Sequence, residues 1–134
     1  MLDIILIQHQ KSGTSLLEYR QEHTKIALEH ADIFSGFLSA IQNITNELDI
    51  GTLVLISTAG LKGHNCIIIP KPLINVIILA DHDDPIDLWR DEGNKIAEQF
   101  IEKYGTAFSS FNVTPFQEFK QVIKELCAGH NYCD

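Results

Sequence analysis

Between His30 and Gly51 the apolar residues Ile33, Phe34, Phe37, Leu38, Ile41, Ile44 and Leu48 recur at spacings of one, three and four. That period predicts an amphipathic helix whose apolar stripe faces a core. Asp32 or His30 suits its start, and Gly51 sits where a left-handed cap would end it. A core-facing Phe37 implies that Phe37→Ala costs about 3–5 kcal/mol. The opposite face carries Ser35, Gly36, Ser39, Gln42, Asn43 and Asn46. These are small or uncharged, where a solvated helix usually carries Lys and Glu.

Shorter runs predict strands. Leu2–Gln8 is apolar on both faces, which suits a strand covered on two sides. Gly13 turns the chain, and 16–20 alternates, with Leu17 and Tyr19 facing one way and Leu16, Glu18 and Arg20 the other. Residues 21–29 form a polar connector in which Ile26 and Leu28 can add a helical turn. Residues 52–58, 66–69 and 74–80 read as three antiparallel neighbours, because their connections are too short for crossovers. Asp84-Pro85 opens a second helix as cap and first-turn proline. Ile86, Trp89, Gly93, Ile96, Ala97, Phe100, Ile101 and Tyr104 form its inner stripe, Gly105 ends it, and its outer face is charged. A loop bearing Phe108 and Phe111 leads to Thr114-Pro115-Phe116-Gln117, a capping box for a third helix with Phe119, Val122, Ile123, Leu126 and Cys127 inward. The order is β-β-α-β-β-β-α-α. Two strands without a polar face require helices on both sides, giving an α+β fold with three layers, α/β/α, around a five-stranded antiparallel sheet.

Composition narrows the picture. The chain has 134 residues, 45% hydrophobic and 21% charged, which fits one ordinary globular domain at 1–129 with a tail at 130–134. A net charge of −8 argues against nucleic acid and against direct binding to anionic lipid. No apolar run approaches membrane-spanning length. Three sparse cysteines, Cys66, Cys127 and Cys133, point to a reducing cytoplasm and no disulfide framework.

The element order resembles the longin fold of the SNARE-like superfamily, close in shape to Roadblock and profilin domains. The hairpin Ile4–Gln8, Gly13-Thr14, Leu16-Leu17 resembles the opening of clathrin-adaptor sigma subunits. Phe34-Ser35-Gly36-Phe37-Leu38-Ser39-Ala40-Ile41 resembles stand-alone longin or Roadblock-type regulators. The chain departs from the adaptor subunits after Glu22 and has no SNARE heptad helix after the domain. The resemblance implies a protein-binding module that regulates or scaffolds small GTPases or vesicle-trafficking machinery. Its partners would be a second copy or another longin or Roadblock domain, and a small GTPase. It also implies an interface on the first helix and the edge strand after it: Ser35, Gly36, Ser39, Ala40, Gln42, Asn43, Asn46, Thr52, Val54 and Ile56.

Candidate chemistry is sparse. Asp81-His82-Asp83-Asp84 has the groups to hold a divalent ion or share a proton, but acidic loops commonly precede helices. Cys127, His130 and Cys133, with His64 or Cys66 as a fourth ligand, match no standard zinc signature. Gly60-x-x-Gly63 lacks the Lys-Ser/Thr of a phosphate loop. Leu88 is an apolar residue on a charged helix face, of interest if Leu61, Phe108 or Phe111 joins it in a patch. No cofactor, metal or catalytic group is expected. A small-ligand sensor with a pocket between sheet and helix is the alternative, and a metal-binding tail the third reading.

Overall fold

The structure, a computed structural model, describes residues 1–24, 31–105, 112–129 and 131–133, with the side chains of the first helix from Gly36 onward. The polar connector with Ile26 and Leu28, the loop with Phe108 and Phe111, and His130 lie outside the described residues. In chain order the elements are β1 (Leu2–His9), β2 (Ser15–Arg20), α1 (Ala31–Glu47), β3 (Leu55–Ser57), β4 (His64–Pro70), β5 (Ile74–Asp81), α2 (Ile86–Tyr104) and α3 (Lys120–Cys127). A 3-10 turn, Thr114–Phe119, runs straight into α3.

All neighbouring strands are antiparallel, in the order β2-β1-β5-β4-β3. Strands β1, β5 and β4 are central, and for β1 and β5 the lack of a polar face requires it. Side-chain alternation divides the core in two. Ile5, Ile7, Ile67, Ile69, Val76 and Ile78 face the side covered by α2 and α3. Leu6, Cys66, Ile68 and Ile77 face α1, from which Leu38 enters. The three-layer expectation therefore holds.

The larger half is closed by aromatic rings. Phe100 of α2 meets Phe116 at 5.4 Å and Phe119 edge-on at 5.1 Å between ring centroids, and the Tyr104 hydroxyl donates to Pro115 O at 3.0 Å. Gly93 sits where α2 crosses the sheet. A Cβ there would lie 2.4 Å from Ile69 Cδ1, so the close approach needs a glycine.

Several local expectations are corrected. β3 is three residues long rather than spanning 52–58, although Ile68 N–H still donates to Val54 O at 3.0 Å. Leu16 and Leu17 are both buried, because the ladder shifts register between Ile7 and Gln8. The left-handed residue ending α1 is Asp49 (φ 53°), not Gly51: Ile50 N–H reaches Thr45 O and Asp49 N–H reaches Asn46 O, each at 3.1 Å. That is a Schellman pair two residues earlier than the glycine suggested. Asp84 does not cap α2; Pro85 holds that position, and the buried Asp84 carboxylate accepts from Trp89 Nε1 at 3.1 Å. Thr114 makes no capping box; its N–H donates to Asn112 Oδ1 at 3.1 Å. The expectation of unpaired cysteines fails as well. Cys127 and Cys133 form a disulfide, leaving Cys66 as the free thiol. Tyr132 O accepts from Leu2 N–H at 2.6 Å, so the end of the chain is tied to β1.

Candidate interaction surface

α1 is helical where its period predicts, but it is turned about its axis. Among its described side chains Leu38 is the buried one, while Phe37 is 53% exposed, Ile44 54% and Leu48 62%. At about 100° per residue, Phe37, Ile44 and Leu48 share a line roughly a quarter turn from Leu38. The assignment of that line to the core is therefore corrected. The cause lies beneath the helix. Gln8 and Asn75 are buried on the sheet face under α1, and a buried amide needs partners. Asn75 Nδ2 donates to Gln8 Oε1 at 3.1 Å, and Gln8 Nε2 donates to Ser39 Oγ at 3.2 Å and to Gly13 O at 3.3 Å. Ser39 must therefore point inward. A turn farther along, Gln42 clamps the backbone of Leu53: Nε2 donates to Leu53 O at 2.9 Å and Oε1 accepts from Leu53 N–H at 3.1 Å. The hairpin turn closes tightly over this face, since a Cβ on Gly13 (φ 75°) would meet Ser39 Oγ at 2.4 Å.

The residues expected at the interface thus divide. Ser39 and Gln42 are half-buried and committed to internal hydrogen bonds, and Ile56 packs under Leu38 in the smaller core. Gly36, Ala40, Asn43, Asn46, Thr52 and Val54 are exposed, and the Ser35 side chain lies outside the described residues. Ser39, Gln42, Asn43, Asn46 and Thr52 instead line a polar cleft of about 340 Å³ with Gln10, Lys11, Ser12, Pro70 and Asn75. For Ser39 and Gln42 the lack of charge reflects this inward duty. The surface that sequence reasoning missed is apolar: Phe37, Ile44 and Leu48, followed by Ile50 at 68% and Val54 at 41% exposed. Val54 leads into β3, which stands last in the sheet among the described residues.

The other sequence candidates resolve plainly. The acidic loop acts together only in part, where Asp81 and Asp84 both meet the Met1 amine. Asp84 turns inward to Trp89, His82 Nδ1 lies 3.6 Å from Asp83 at the surface, and Asp81 turns toward His64. The disulfide removes Cys127 and Cys133 as a thiolate pair, and burial pushes the Cys66 thiol up to about 12, so no cysteine ligand set remains among the described residues. Gly60 and Gly63 form a plain hairpin turn, with Gly63 N–H donating to Gly60 O at 3.1 Å. Leu88 packs against the main core and Leu61 is fully exposed, so the two make no patch. No helix among the described residues is long and apolar enough to cross a membrane.

The sequence matches no protein-family model and no curated protein. The fold does have solved counterparts. MglB of Myxococcus xanthus superposes with a TM-score of 0.54 over 77% of this chain and 83% of that one, at 12% identity. The chain has a longin/Roadblock-like fold. At that identity the likeness concerns architecture alone.

Proposed function

We propose that this longin/Roadblock-like chain is a non-enzymatic protein-binding module that pairs with a second copy or a related domain through α1 and the edge at β3. The paired module would regulate or scaffold a small GTPase or trafficking machinery. One observation carries the pairing: large apolar side chains at Phe37, Ile44, Leu48, Ile50 and Val54 stand in solvent along α1 and the segment that leads into β3, an edge strand of the sheet among the described residues. Such patches mark interfaces, and such edges invite another strand. The GTPase reading rests on the fold and its family resemblance. Both arginines are engaged in ion pairs, Arg20 with Glu18 at 3.8 Å and Arg90 with Asp87 at 3.7 Å. Binding is thus favoured over supplying an arginine finger. The expected setting is cytoplasmic, at membranes only through partners; there the Cys127–Cys133 bond is open to reduction by the thiol pool.

The wild type is expected to be a dimer by light scattering at tens of micromolar. Phe37→Lys with Leu48→Lys should give a folded monomer, because pairing would bury like charges across a two-fold axis. A monomeric wild type, or an unchanged dimer in the variant, overturns the pairing. Loss of binding to every small GTPase from the same cell, in both nucleotide states, overturns the GTPase part alone. The polar cleft between α1 and the β1–β2 turn supports a second reading, a sensor of a small polar ligand; a metabolite panel that leaves the melting temperature unchanged removes it.

A further inference from the structure

Beneath the polar cleft of about 340 Å³ runs a chain of side-chain hydrogen bonds whose direction is fixed. Gly13 O is a backbone carbonyl and only accepts, so the Gln8 atom that faces it at 3.3 Å is Nε2, and the other is Oε1. Asn75 must then donate to Gln8 Oε1 through Nδ2, at 3.1 Å. That leaves Asn75 Oδ1 to accept from Gln10 Nε2, at 3.2 Å. Gln8 Nε2 also lies 3.2 Å from Ser39 Oγ. An amide nitrogen does not accept, so the Ser39 hydroxyl does, and its own hydrogen points elsewhere.

Two donors are left over. Asn75 Nδ2 carries two hydrogens and gives one to Gln8; the other has no acceptor among the described residues, although Asn75 is only 5% exposed. The Ser39 hydroxyl hydrogen has none there either. Both residues line the cleft, so both donors are available to whatever fills it. Lys11, exposed in the turn between β1 and β2, lines the cleft too and makes no ion pair among the described residues. No Asp or Glu among the described residues lines it, on a chain that carries 18 of them. The cleft therefore offers spare donors and one positive charge, and it calls for a ligand rich in acceptors with a matching negative charge. An amino acid fits poorly, because its ammonium would find no carboxylate. A phosphate ester brings nearly two negative charges against a single lysine.

We propose that this cleft binds a small hydroxy acid. Its oxygens accept from Asn75 Nδ2 and the Ser39 hydroxyl, its carboxylate charge is balanced by Lys11, and its remaining hydroxyls meet the amides of Gln10, Asn43 and Asn46 along the walls. The proposal rests on the small-ligand reading of the cleft and names the ligand class. It does not involve Phe37 or Leu48, which lie outside the lining.

The test is calorimetric titration of the full chain with sodium gluconate and sodium glycerate. Glucitol, serine and glucose 6-phosphate serve as the neutral, zwitterionic and phosphorylated counterparts. Saturable binding of one acid per chain is expected, with glucitol and serine weaker by at least ~10-fold. Lys11→Gln, on an exposed turn, should weaken the acid by at least ~10-fold without moving the melting temperature of the unliganded protein, and Lys11→Arg should restore most of the loss. Ser39→Ala should weaken it in a protein with an unchanged circular dichroism spectrum. Lys62→Gln, in the turn before the opposite end of β4, should leave it intact. Glucitol or serine binding as tightly as the acids, or glucose 6-phosphate more tightly, overturns the hydroxy-acid class and leaves a cleft for another small ligand. Absence of saturable binding by every probe overturns both and leaves a water-filled cleft. Acid binding that survives both Lys11→Gln and Ser39→Ala overturns the site.

Discussion

Phe37 and Leu38 are neighbours of similar hydrophobicity with opposite fates. Leu38 is 1% exposed among Leu6, Cys66, Ile68 and Ile77, whereas Phe37 is 53% exposed. Leu38→Ala is therefore expected to cost about 2–5 kcal/mol, through lost transfer energy and the cavity left behind. Phe37→Ala should cost less than about 1 kcal/mol in dilute, unpaired protein, because little is buried and no cavity forms. Urea unfolding of the two variants checks this, and equal costs would mean that α1 is turned the other way. The sequence shows that this segment has an apolar stripe, but not which flank of the stripe meets the sheet. Gln8 and Asn75 decide that. They are 1% and 5% exposed; Asn75 is bonded to Gln8 and Gln10, and Gln8 turns its Nε2 to the helix, which must present Ser39 to it. Nothing in the local pattern of α1 carries that demand, which arises only when the strands align. The contact of Asp3 with His64 was illegible for a related reason: the two are separated by 61 positions and meet only once the strands align.

At the scale of elements, period and punctuation carried further. Strands β1 and β5 and the buried side of α2 follow from apolar runs, since a strand without a polar face has to be central. Gly105 ends α2 with φ 58°, and its N–H bonds Ile101 O, as its place after the periodic stripe implied. Caps whose side chains had better partners were misread. Asp84 is drawn to the Trp89 indole, and an N-cap serves only when the oxygen is free to turn back on the helix. The end of α3 was misread because sparse cysteines suggest thiols. The bond from Cys127 to Cys133 closes a loop with a separation of six residues. In the chain-entropy account, closing a loop that short is worth about 2 kcal/mol. Cys133→Ser should lower stability by about that amount in oxidising buffer and have little effect with excess dithiothreitol. Denaturant titrations of both proteins, with and without reductant, check it; equal stabilities in oxidising buffer would show that α3 is held by packing alone.

For the whole molecule, topology was the most legible level, because short connections leave few ways to order five strands. The same fold leaves the apolar side chains of Phe37, Ile44 and Leu48 in solvent on a chain of net charge −8. Those two facts set the salt dependence of pairing. Two like-charged chains repel, and the repulsion is long-ranged, so salt screens it within a Debye length of about 8 Å near 0.15 M. Contact between Phe37, Ile44 and Leu48 and their counterparts is not weakened by screening, since burial of apolar surface does not depend on charge. Dimerisation is therefore expected to tighten severalfold as sodium chloride rises from ~20 to ~150 mM. An interface held by ion pairs moves the other way, because its attraction is screened. Sedimentation equilibrium across that range separates the two. Dissociation on adding salt would show that the charged faces, and not the strip on α1, bring the chains together.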